Sequence, residues 1–548
     1  MTRNSESHFG NIPTIDIKRS KFWEPEDHKT TMNTGDIVPI YNRDMIPGDT
    51  VNISVSSLVR MATPIAPVMD NAWLDIQFYF VPNRLVWDHW KEFMGENNTD
   101  AWTQQVEYQE PITEAPETGW AKGTIASYLG ARINTPGIWI DSKWFRGYAT
   151  IYNEWFRSEN VSEPAQVSKG DSDSVGSNGT DYVNDLELGG MPAKAVKYAD
   201  AYTRGLPSPQ KGPDVLLPLG ETAPVLTMDQ RIGQKATTGM LLADSTGTAV
   251  ENTTFNLWGS STTSPYDMCT LNMPATASGG DYPVHPDNLY ADLTTASAAT
   301  INQLRQAFAI QRMAETDARG GTRYIELIAA HFGIHSPDQR LQRPEYIGGK
   351  RIPINMSDVV QNSATDAVTP QGNVAGVSKT LDTHDMVTYS ATEHGMIFGL
   401  AIIRTEHTYQ QGMSRELTRR KKLDYYWPAL ANIGEVYIKN KELYAQGTDE
   451  DEEAFAYQEA WYEYRYGRNK VTGELNSDYS TPLDIWHYGD DYSQLPTLSH
   501  DWLSETDENV KRTLAIQTQD QFICDFYFNA TWVRPMPAYS IPSLGSWM

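Results

Sequence analysis

Cysteine is almost absent from this sequence: among 548 residues, only Cys269 and Cys524 carry a thiol. Two cysteines so far apart are too few for the disulfide framework of a small secreted domain, and no CxxC pair is present to bind zinc. We therefore expect neither a disulfide scaffold nor a zinc ribbon. A reducing cytoplasm is the expected compartment of synthesis.

An excess of positive charge is also missing. The chain has 44 Lys and Arg against 70 Asp and Glu, which gives a formal net charge of −26. A protein that wraps nucleic acid by means of its own charge is basic, because neutralising the phosphates supplies the affinity. Contact with DNA would therefore need a local positive patch or a basic helper protein.

Long apolar runs and catalytic signatures are absent as well. The longest apolar run, residues 396–403, includes Gly399 and is too short to span a membrane. None of the patterns GxxxxGKS/T, GxGxxG, HExxH or GxSxG occurs. His394 and His407 each follow a glutamate but have no third partner at a useful spacing, so we interpret both as structural or interfacial. We predict a protein that is not an enzyme, uses no cofactor and does not insert into a membrane; no metal-ligand motif is present, and the sequence leaves metal binding open.

Alternation of apolar and polar residues is the clearest positive signal. It marks residues 51–55, 74–80 and 522–528 as strands with one buried face, whereas residues 396–403 are apolar throughout, as in a central strand covered on both faces. Long connections separate these strands. The pattern predicts a mainly β sandwich whose loops have grown into large insertions.

Helical signals are few. Residues 300–303 have the form of a capping box, and an apolar stripe at helical spacing follows. After Gly320 and Gly321 a second stripe runs to Phe332, and Gly333 is a suitable C-terminal stop. We predict a pair of helices that pack on the sandwich and bury both stripes.

Composition divides the chain further. Residues 1–48, with scattered prolines and little periodicity, are predicted to form an extended N-terminal arm, and residues 49–548 the main domain. Within that domain, residues 224–300 are rich in Thr, Ser, Ala and Gly, and no Lys or Arg lies between Lys235 and Arg305. We interpret residues 224–300 as an exposed surface insertion.

The one tight positive cluster lies in the stretch of residues 404–435, which is dense in Arg and aromatic residues. It comprises Arg415, Arg419, Arg420, Lys421 and Lys422, which we call the basic run. The run could form a patch that meets acidic loops of a neighbouring subunit, or it could contact phosphates of single-stranded DNA. The sequence alone leaves both interpretations open.

A second dense segment, residues 455–468, reads FAYQEAWYEYRYGR and follows the acidic run of residues 449–453. Aromatic residues with Arg are typical of interface hot spots, and they can also stack on unpaired bases. We favour a subunit interface over base stacking. The candidate interface residues, which we call the aromatic block, are Tyr457, Trp461, Tyr462, Tyr464, Arg465 and Tyr466.

Several long segments carry a family resemblance. They include RSKFWEPEDHKTTMNTGDIVPIYNRDMIPGDT at residues 19–50, ARGGTRYIELIAAHFGIHSPDQRLQRPEYIGG at residues 318–349 and RPMPAYSIPSLG at residues 534–545. In this order they resemble the major capsid proteins of microviruses, the small single-stranded DNA phages, and among them the gokushovirus branch. The resemblance covers most of the chain outside the insertions.

The resemblance implies a fold and a role. The fold would be a single eight-stranded antiparallel jelly roll, with long loop insertions that contain a few short helices. Copies would assemble into a T=1 icosahedral shell in the cytoplasm of a bacterial host, around circular single-stranded DNA and a small basic internal DNA-binding protein. The virion would be the final location of the protein.

The family also carries an insertion at each three-fold axis of the shell, and residues 224–300 lie where that insertion is expected. This makes Phe255, Trp258 and Tyr266 candidate host-attachment residues, for a receptor that the sequence does not identify. Two alternatives remain: a phage spike that does not form a shell, and a β protein that binds or hydrolyses carbohydrate.

Overall fold

The structure is a computed structural model. It describes residues 18–96, 106–213, 301–360 and 374–539, together with residues 215, 362 and 372 and the backbone of six short strands between residues 225 and 291. The chain divides into two compact units: Met1–Lys211 with Glu315–Met548, and Gly212–Ala314. The smaller unit contains the predicted insertion of residues 224–300.

Eight long strands, labelled β1 to β8 in chain order, form two four-stranded antiparallel sheets in the larger unit. They are Ser20–Met32, Val38–Met45, Thr50–Met61, Ala72–Pro82, Glu345–Pro353, Thr380–Ser390, Gly395–Thr405 and Phe522–Arg534. One sheet has the order β1-β8-β3-β6 and the other β5-β4-β7-β2. Side chains from both sheets share one hydrophobic core, so the sheets face each other as a sandwich.

The predicted strands are confirmed, and alternation explains their burial. In β3, Val51, Ile53 and Val55 are buried while the residues between them face outward. β7 is buried on both faces, as its continuous apolar run predicts. Alternate residues of β7 enter the sandwich core and a second hydrophobic cluster on the other side of its sheet.

That second cluster is built mainly from residues 115–195 and contains the helix Ser142–Ile151. Asp141 caps this helix by accepting a hydrogen bond from the Lys143 backbone N–H at 2.9 Å. Gly147 lets the helix lie directly on β7, because a Cβ atom there would come within 3.0 Å of the Phe398 ring.

The predicted N-terminal arm is wrong for residues 20–45, which form β1 and β2 inside the sandwich. β1 pairs with β8 along its whole length, from Ser20 opposite Arg534 to Met32 opposite Phe522. Its half-buried positions include Glu24, Glu26 and His28, so the strand lacks the apolar alternation by which strands were predicted from the sequence. Residues 1–17 lie outside the described residues.

Both predicted helices are confirmed, at Ile301–Gly320 and Tyr324–Phe332, and Gly333 ends the second in a left-handed conformation with φ of 66°. Thr300 of the predicted capping box lies outside the described residues. The prediction that the apolar stripes are enclosed as core is wrong: no residue of Tyr324–Phe332 is buried, and Phe332 is 75% exposed. Ile325, Ile328 and Ala329 are half-buried, so the apolar stripe of that helix is only partly covered within the described part of its own unit.

The remaining elements are short. Further strands of the larger unit are Ile112–Glu114, Trp139–Asp141, Ser174–Val175, Met356–Val360, Val374–Ser378, Glu435–Lys439 and Ala454–Glu459. Those of the smaller unit are Val225–Thr227, Leu242–Asp244, Asn256–Trp258, Thr270–Met273, Tyr282–Pro286 and Leu289–Ala291. One-turn helices occur at Trp90–Phe93, Ile125–Tyr128, His500–Leu503 and Glu508–Lys511. No helix in the described ranges combines the length and apolar character needed to cross a bilayer.

Candidate interaction surface

A two-stranded hairpin supports both regions that the sequence singled out. Its strands, Glu435–Lys439 and Ala454–Glu459, pair with Tyr437 opposite Tyr457. The backbones of Leu206 and Tyr457 exchange hydrogen bonds of 2.7 and 2.8 Å, which tie the hairpin to the segment before residue 211. A third hydrophobic cluster, which includes Ile438 and Tyr462, lies beneath it.

The first residue of the basic run points inward. Arg415 donates two hydrogen bonds to one carboxylate oxygen of Glu442, at 3.0 and 2.8 Å, and its guanidinium lies over the Tyr462 ring. The Tyr462 hydroxyl donates to the other oxygen of Glu442. Burial and the neighbouring Glu442 carboxylate raise the pKa of Tyr462 far above its usual range, so this hydroxyl stays protonated.

Arg419 is also neutralised within the chain. It donates to a carboxylate oxygen of Glu463 at 3.0 Å, and the two side chains are only 9% and 6% exposed. The guanidinium also lies 4.5 Å from the centre of the Tyr464 ring. The basic run and the aromatic block, which are separate in sequence, are therefore joined in one surface.

The last three residues of the run are exposed. Arg420, Lys421 and Lys422 form no ion pair with any residue that the structure describes. Asp424 accepts hydrogen bonds from the backbone N–H groups of Arg420 and Lys421, at 2.8 and 2.7 Å, and these bonds lower the pKa of Asp424. Asp424 thus fixes the turn that presents the three cations.

Half of the aromatic block is enclosed within its own chain. Trp461 and Tyr462 are buried and Tyr457 is half-buried in its strand. The other three candidates, Tyr464, Arg465 and Tyr466, are exposed. Tyr425, Tyr426 and Trp427, which follow the basic run within residues 404–435, are exposed as well, and Tyr426 packs edge-on against Tyr464.

A groove of about 400 Å³ lies between the basic run and the aromatic block. Its apolar wall is formed by Leu423, Leu430, Ile433, Val436, Tyr437, Ala460 and Trp461. Trp461 has a left-handed backbone, with φ of 67°, which is costly for a bulky residue. A hydrogen bond of 2.9 Å from its indole N–H to the carbonyl oxygen of Leu430 fixes it against the groove.

The acidic run of residues 449–453 is partly paired. Glu452 accepts hydrogen bonds from Lys439 and Lys441, and these bonds lower its pKa to about 2. Asp451 accepts two hydrogen bonds, from the backbone N–H groups of Gln446 and Gly447. The run is therefore held against the hairpin.

His407 is structural, as predicted. It is buried between Asp490 and Glu505, with each ring nitrogen 3.0 Å from a carboxylate oxygen. Neither partner was foreseen, because they lie 83 and 98 residues away along the chain. Separation in sequence also hid the partners of the basic run, since Glu442 lies 27 residues from Arg415 and Glu463 lies 44 residues from Arg419.

The candidate host-attachment residues lie in the smaller unit. Trp258 is the last residue of the strand Asn256–Trp258, which pairs with Thr270–Met273. Phe255 and Tyr266 lie outside the described residues. Their role stays a prediction.

Comparison with known proteins places this chain among phage proteins. A family model described as "Capsid protein (F protein)" matches residues 10–544. Capsid protein VP1 of Spiroplasma virus 4 is 40% identical over 536 residues, which cover 96% of each chain. Capsid protein VP1 of Bdellovibrio phage phiMH2K is 36% identical and that of Chlamydia phage 1 is 35% identical, with at least 98% of each chain covered.

Proposed function

The chain belongs to the capsid protein (F protein) family, and from this premise we propose that its copies assemble into a T=1 icosahedral shell around circular single-stranded DNA. It is a structural component of a microvirus-type phage virion and not an enzyme. Assembly in the host cytoplasm, the shell geometry and the enclosed genome are part of the proposal.

The order of the strands is the observation that carries the proposal. The first, eighth, third and sixth strands form one sheet, and the fifth, fourth, seventh and second form the other. This order supports the proposal of an eight-stranded jelly roll, an architecture that recurs in viral capsids and protects its strands by folding two sheets together. The long loops are then free to make contacts between subunits.

Exposed apolar side chains supply candidate contacts. Tyr425, Tyr426 and Trp427 are each more than 40% exposed around the groove, and the helix Tyr324–Phe332 has no buried residue. Clusters of exposed aromatic residues of this kind mark protein–protein contact sites. We assign them, with Tyr464, Arg465 and Tyr466, to interfaces between copies, where many modest contacts act together.

The genome contact is assigned to Arg420, Lys421 and Lys422. None of the three forms an ion pair with a described carboxylate, so their charges are available to the phosphates of single-stranded DNA. Arg415 and Arg419 are excluded from this role because their guanidinium groups are paired with Glu442 and Glu463. With a net charge of −26, the shell would still need a small basic internal protein to neutralise most of the phosphates.

Host attachment is assigned to the smaller unit. Gly212–Ala314 forms a compact unit of its own, as an inserted surface domain should. We propose that it is the protrusion at the three-fold axes and that Phe255, Trp258 and Tyr266 take part in receptor contact.

Negative-stain microscopy of the purified full-length chain tests the assembly proposal. Uniform icosahedral particles, or pentameric precursors of them, are the expected result. Trimers that never close into shells would instead support a phage spike.

A further inference from the structure

We infer that the groove between the basic run and the aromatic block receives an apolar side chain and the adjoining peptide group of a second copy of this chain. The inference rests on the proposed function, since it requires that copies assemble. It goes further by naming the receiving site and the chemistry of its occupant.

The shape and lining of the groove fit an apolar anchor. Its volume of about 400 Å³ is sufficient for one or two large side chains. Leu423 is 68% exposed and Ile433 is 50% exposed at the groove, so aliphatic surface remains in contact with water in the free subunit. Exposed apolar surface of this kind favours association with another protein.

Two buried polar atoms in the wall show what else the occupant must supply. The Arg419 guanidinium and the Glu463 carboxylate share a single hydrogen bond, so Nε of Arg419 and Oε2 of Glu463 have no partner among the described residues. Both side chains are more than nine-tenths buried. One is a donor and the other an acceptor, and a peptide group offers the complementary C=O and N–H.

The charges of the groove disfavour nucleic acid and a polycationic protein as occupants. Each cation in the wall already faces a carboxylate: Arg415 faces Glu442, Arg419 faces Glu463, and Lys439 faces Glu452. The groove therefore offers no excess positive charge for phosphates, and its aliphatic wall offers nothing to a row of lysines. The free cations Arg420 and Lys421 stand outside the groove lining.

A second copy of this chain meets these requirements. It carries exposed apolar side chains that could serve as the anchor, among them Phe332, Tyr324 and Ile334. In a closed shell every copy is surrounded by others, so the occupant is available at high local concentration.

Site-specific photo-crosslinking tests the inference. Tyr437 lines the groove and is 44% exposed, so Tyr437→p-benzoylphenylalanine places a photoreactive ring at its mouth. Particles are assembled from an equal mixture of ¹⁵N-labelled and unlabelled copies, irradiated, digested and analysed by mass spectrometry. We expect cross-linked peptide pairs of mixed isotope content, and none when unassembled subunits are irradiated.

Each other result counts against the inference. Adducts to DNA, adducts to the internal basic protein, or cross-links within one copy alone would overturn it, while the presence of particles would leave the proposed function intact. If wild-type chain forms no particles at all, it is the proposed function that fails. Should the Tyr437 variant not assemble, the same photoreactive substitution at Leu423, which is 68% exposed, gives the readout.

A groove-filling variant provides a second measurement. Ile433 lines the groove and is 50% exposed, so Ile433→Trp places extra atoms in the groove without filling the core. We expect the shell yield to fall at least tenfold while the melting temperature of the free subunit stays within a few degrees. Ile516→Trp is the matched control, because Ile516 is also 50% exposed and lines a different depression. Equal shell yields from the two variants would contradict the inference.

Discussion

Arg419 donates a hydrogen bond of 3.0 Å to Glu463, a residue 44 positions later in the chain, and both side chains are almost fully buried. This ion pair joins the basic run to the aromatic block and forms one wall of the groove between them. The basic run therefore has an inner part, Arg415 and Arg419, with a structural role. Its outer part, Arg420, Lys421 and Lys422, is exposed and available to bind DNA.

Replacing Arg419 should therefore destabilise the subunit, whereas replacing its neighbour should not. Arg419→Met leaves the Glu463 carboxylate buried without a counter-charge, a loss of about 3–5 kcal/mol in the free energy of unfolding. Arg420→Met removes an exposed cation and should change that free energy by less than about 0.5 kcal/mol. Urea unfolding of the unassembled chain measures both. Equal midpoints for the two variants would show that the ion pair does not stabilise the fold.

Neutralising the outer cations should weaken DNA binding. Each phosphate contact to a single strand contributes about 0.7 to the slope of log K against log salt concentration. The triple change Arg420→Gln, Lys421→Gln and Lys422→Gln should therefore lower the slope for binding a single-stranded oligonucleotide by about 2, and particles of the variant should contain less DNA.

A charge-matched control separates a local contact from a general charge effect. Arg60, Lys379 and Lys511 are exposed cations far apart in the chain, and changing all three to Gln alters the net charge by the same amount. We expect the control to bind the oligonucleotide as the wild type does. The same loss in both triple variants would reject the basic run as a DNA site.

His407 should make stability depend on pH. Burial by itself would lower the pKa of the imidazole, but Asp490 and Glu505 outweigh it and raise the pKa to about 10. Because the folded pKa lies above the ordinary value of 6.5, the stabilisation is complete below about pH 6.5 and is lost as the pH rises towards 10. His407→Gln should cost about 3–5 kcal/mol at neutral pH, and the difference from wild type should shrink over this pH window.

The control for that change is His331→Gln. His331 also contacts a carboxylate, Asp317, at 2.6 Å, but both side chains are 27% exposed. An ion pair in contact with solvent contributes at most about 1 kcal/mol. Denaturant unfolding across the pH range should show no comparable dependence for this variant, and a flat profile for His407→Gln relative to wild type would contradict the assignment.

Excising most of the smaller unit should spare assembly and abolish attachment. Thr227 and Leu289 are paired across the antiparallel strands Val225–Thr227 and Leu289–Ala291, so a two-residue Asn-Gly turn can replace residues 228–288. We expect shells to form at wild-type yield and adsorption to host cells to be lost. The triple change Phe255→Ala, Trp258→Ala and Tyr266→Ala, which keeps the unit, should also reduce adsorption. Full adsorption by the excised variant would remove this unit from the attachment role.

The sandwich could be predicted where periodicity follows burial. Residues 51–55 and 522–528 alternate because one face of each strand meets the core, and residues 396–403 are apolar because β7 is covered on both sides. β1 was not predicted because Glu24, Glu26 and His28 occupy its half-buried positions, so the strand has no apolar alternation. Pairing with β8 along its whole length holds it in the sheet instead.

The candidate surface could be predicted only in part. Composition identified the basic run and the aromatic block, because Arg and aromatic residues are concentrated there. It could not reveal which members point inward, since that depends on Glu442 and Glu463, and on a hairpin that brings distant segments together. The apolar stripe of Tyr324–Phe332 was wrongly predicted to be enclosed as core for a related reason. Helical spacing shows that one face of a helix is apolar, but it does not show whether the same chain or another copy covers that face.

Sedimentation velocity of the purified full-length chain, brought to assembly conditions over a range of concentrations and salt, tests the central claim most directly. The account predicts a sharp, fast boundary of closed shells in exchange with subunits or pentamers, and only slowly sedimenting subunits with Ile433→Trp. A chain that sediments as a monomer under every condition would contradict it.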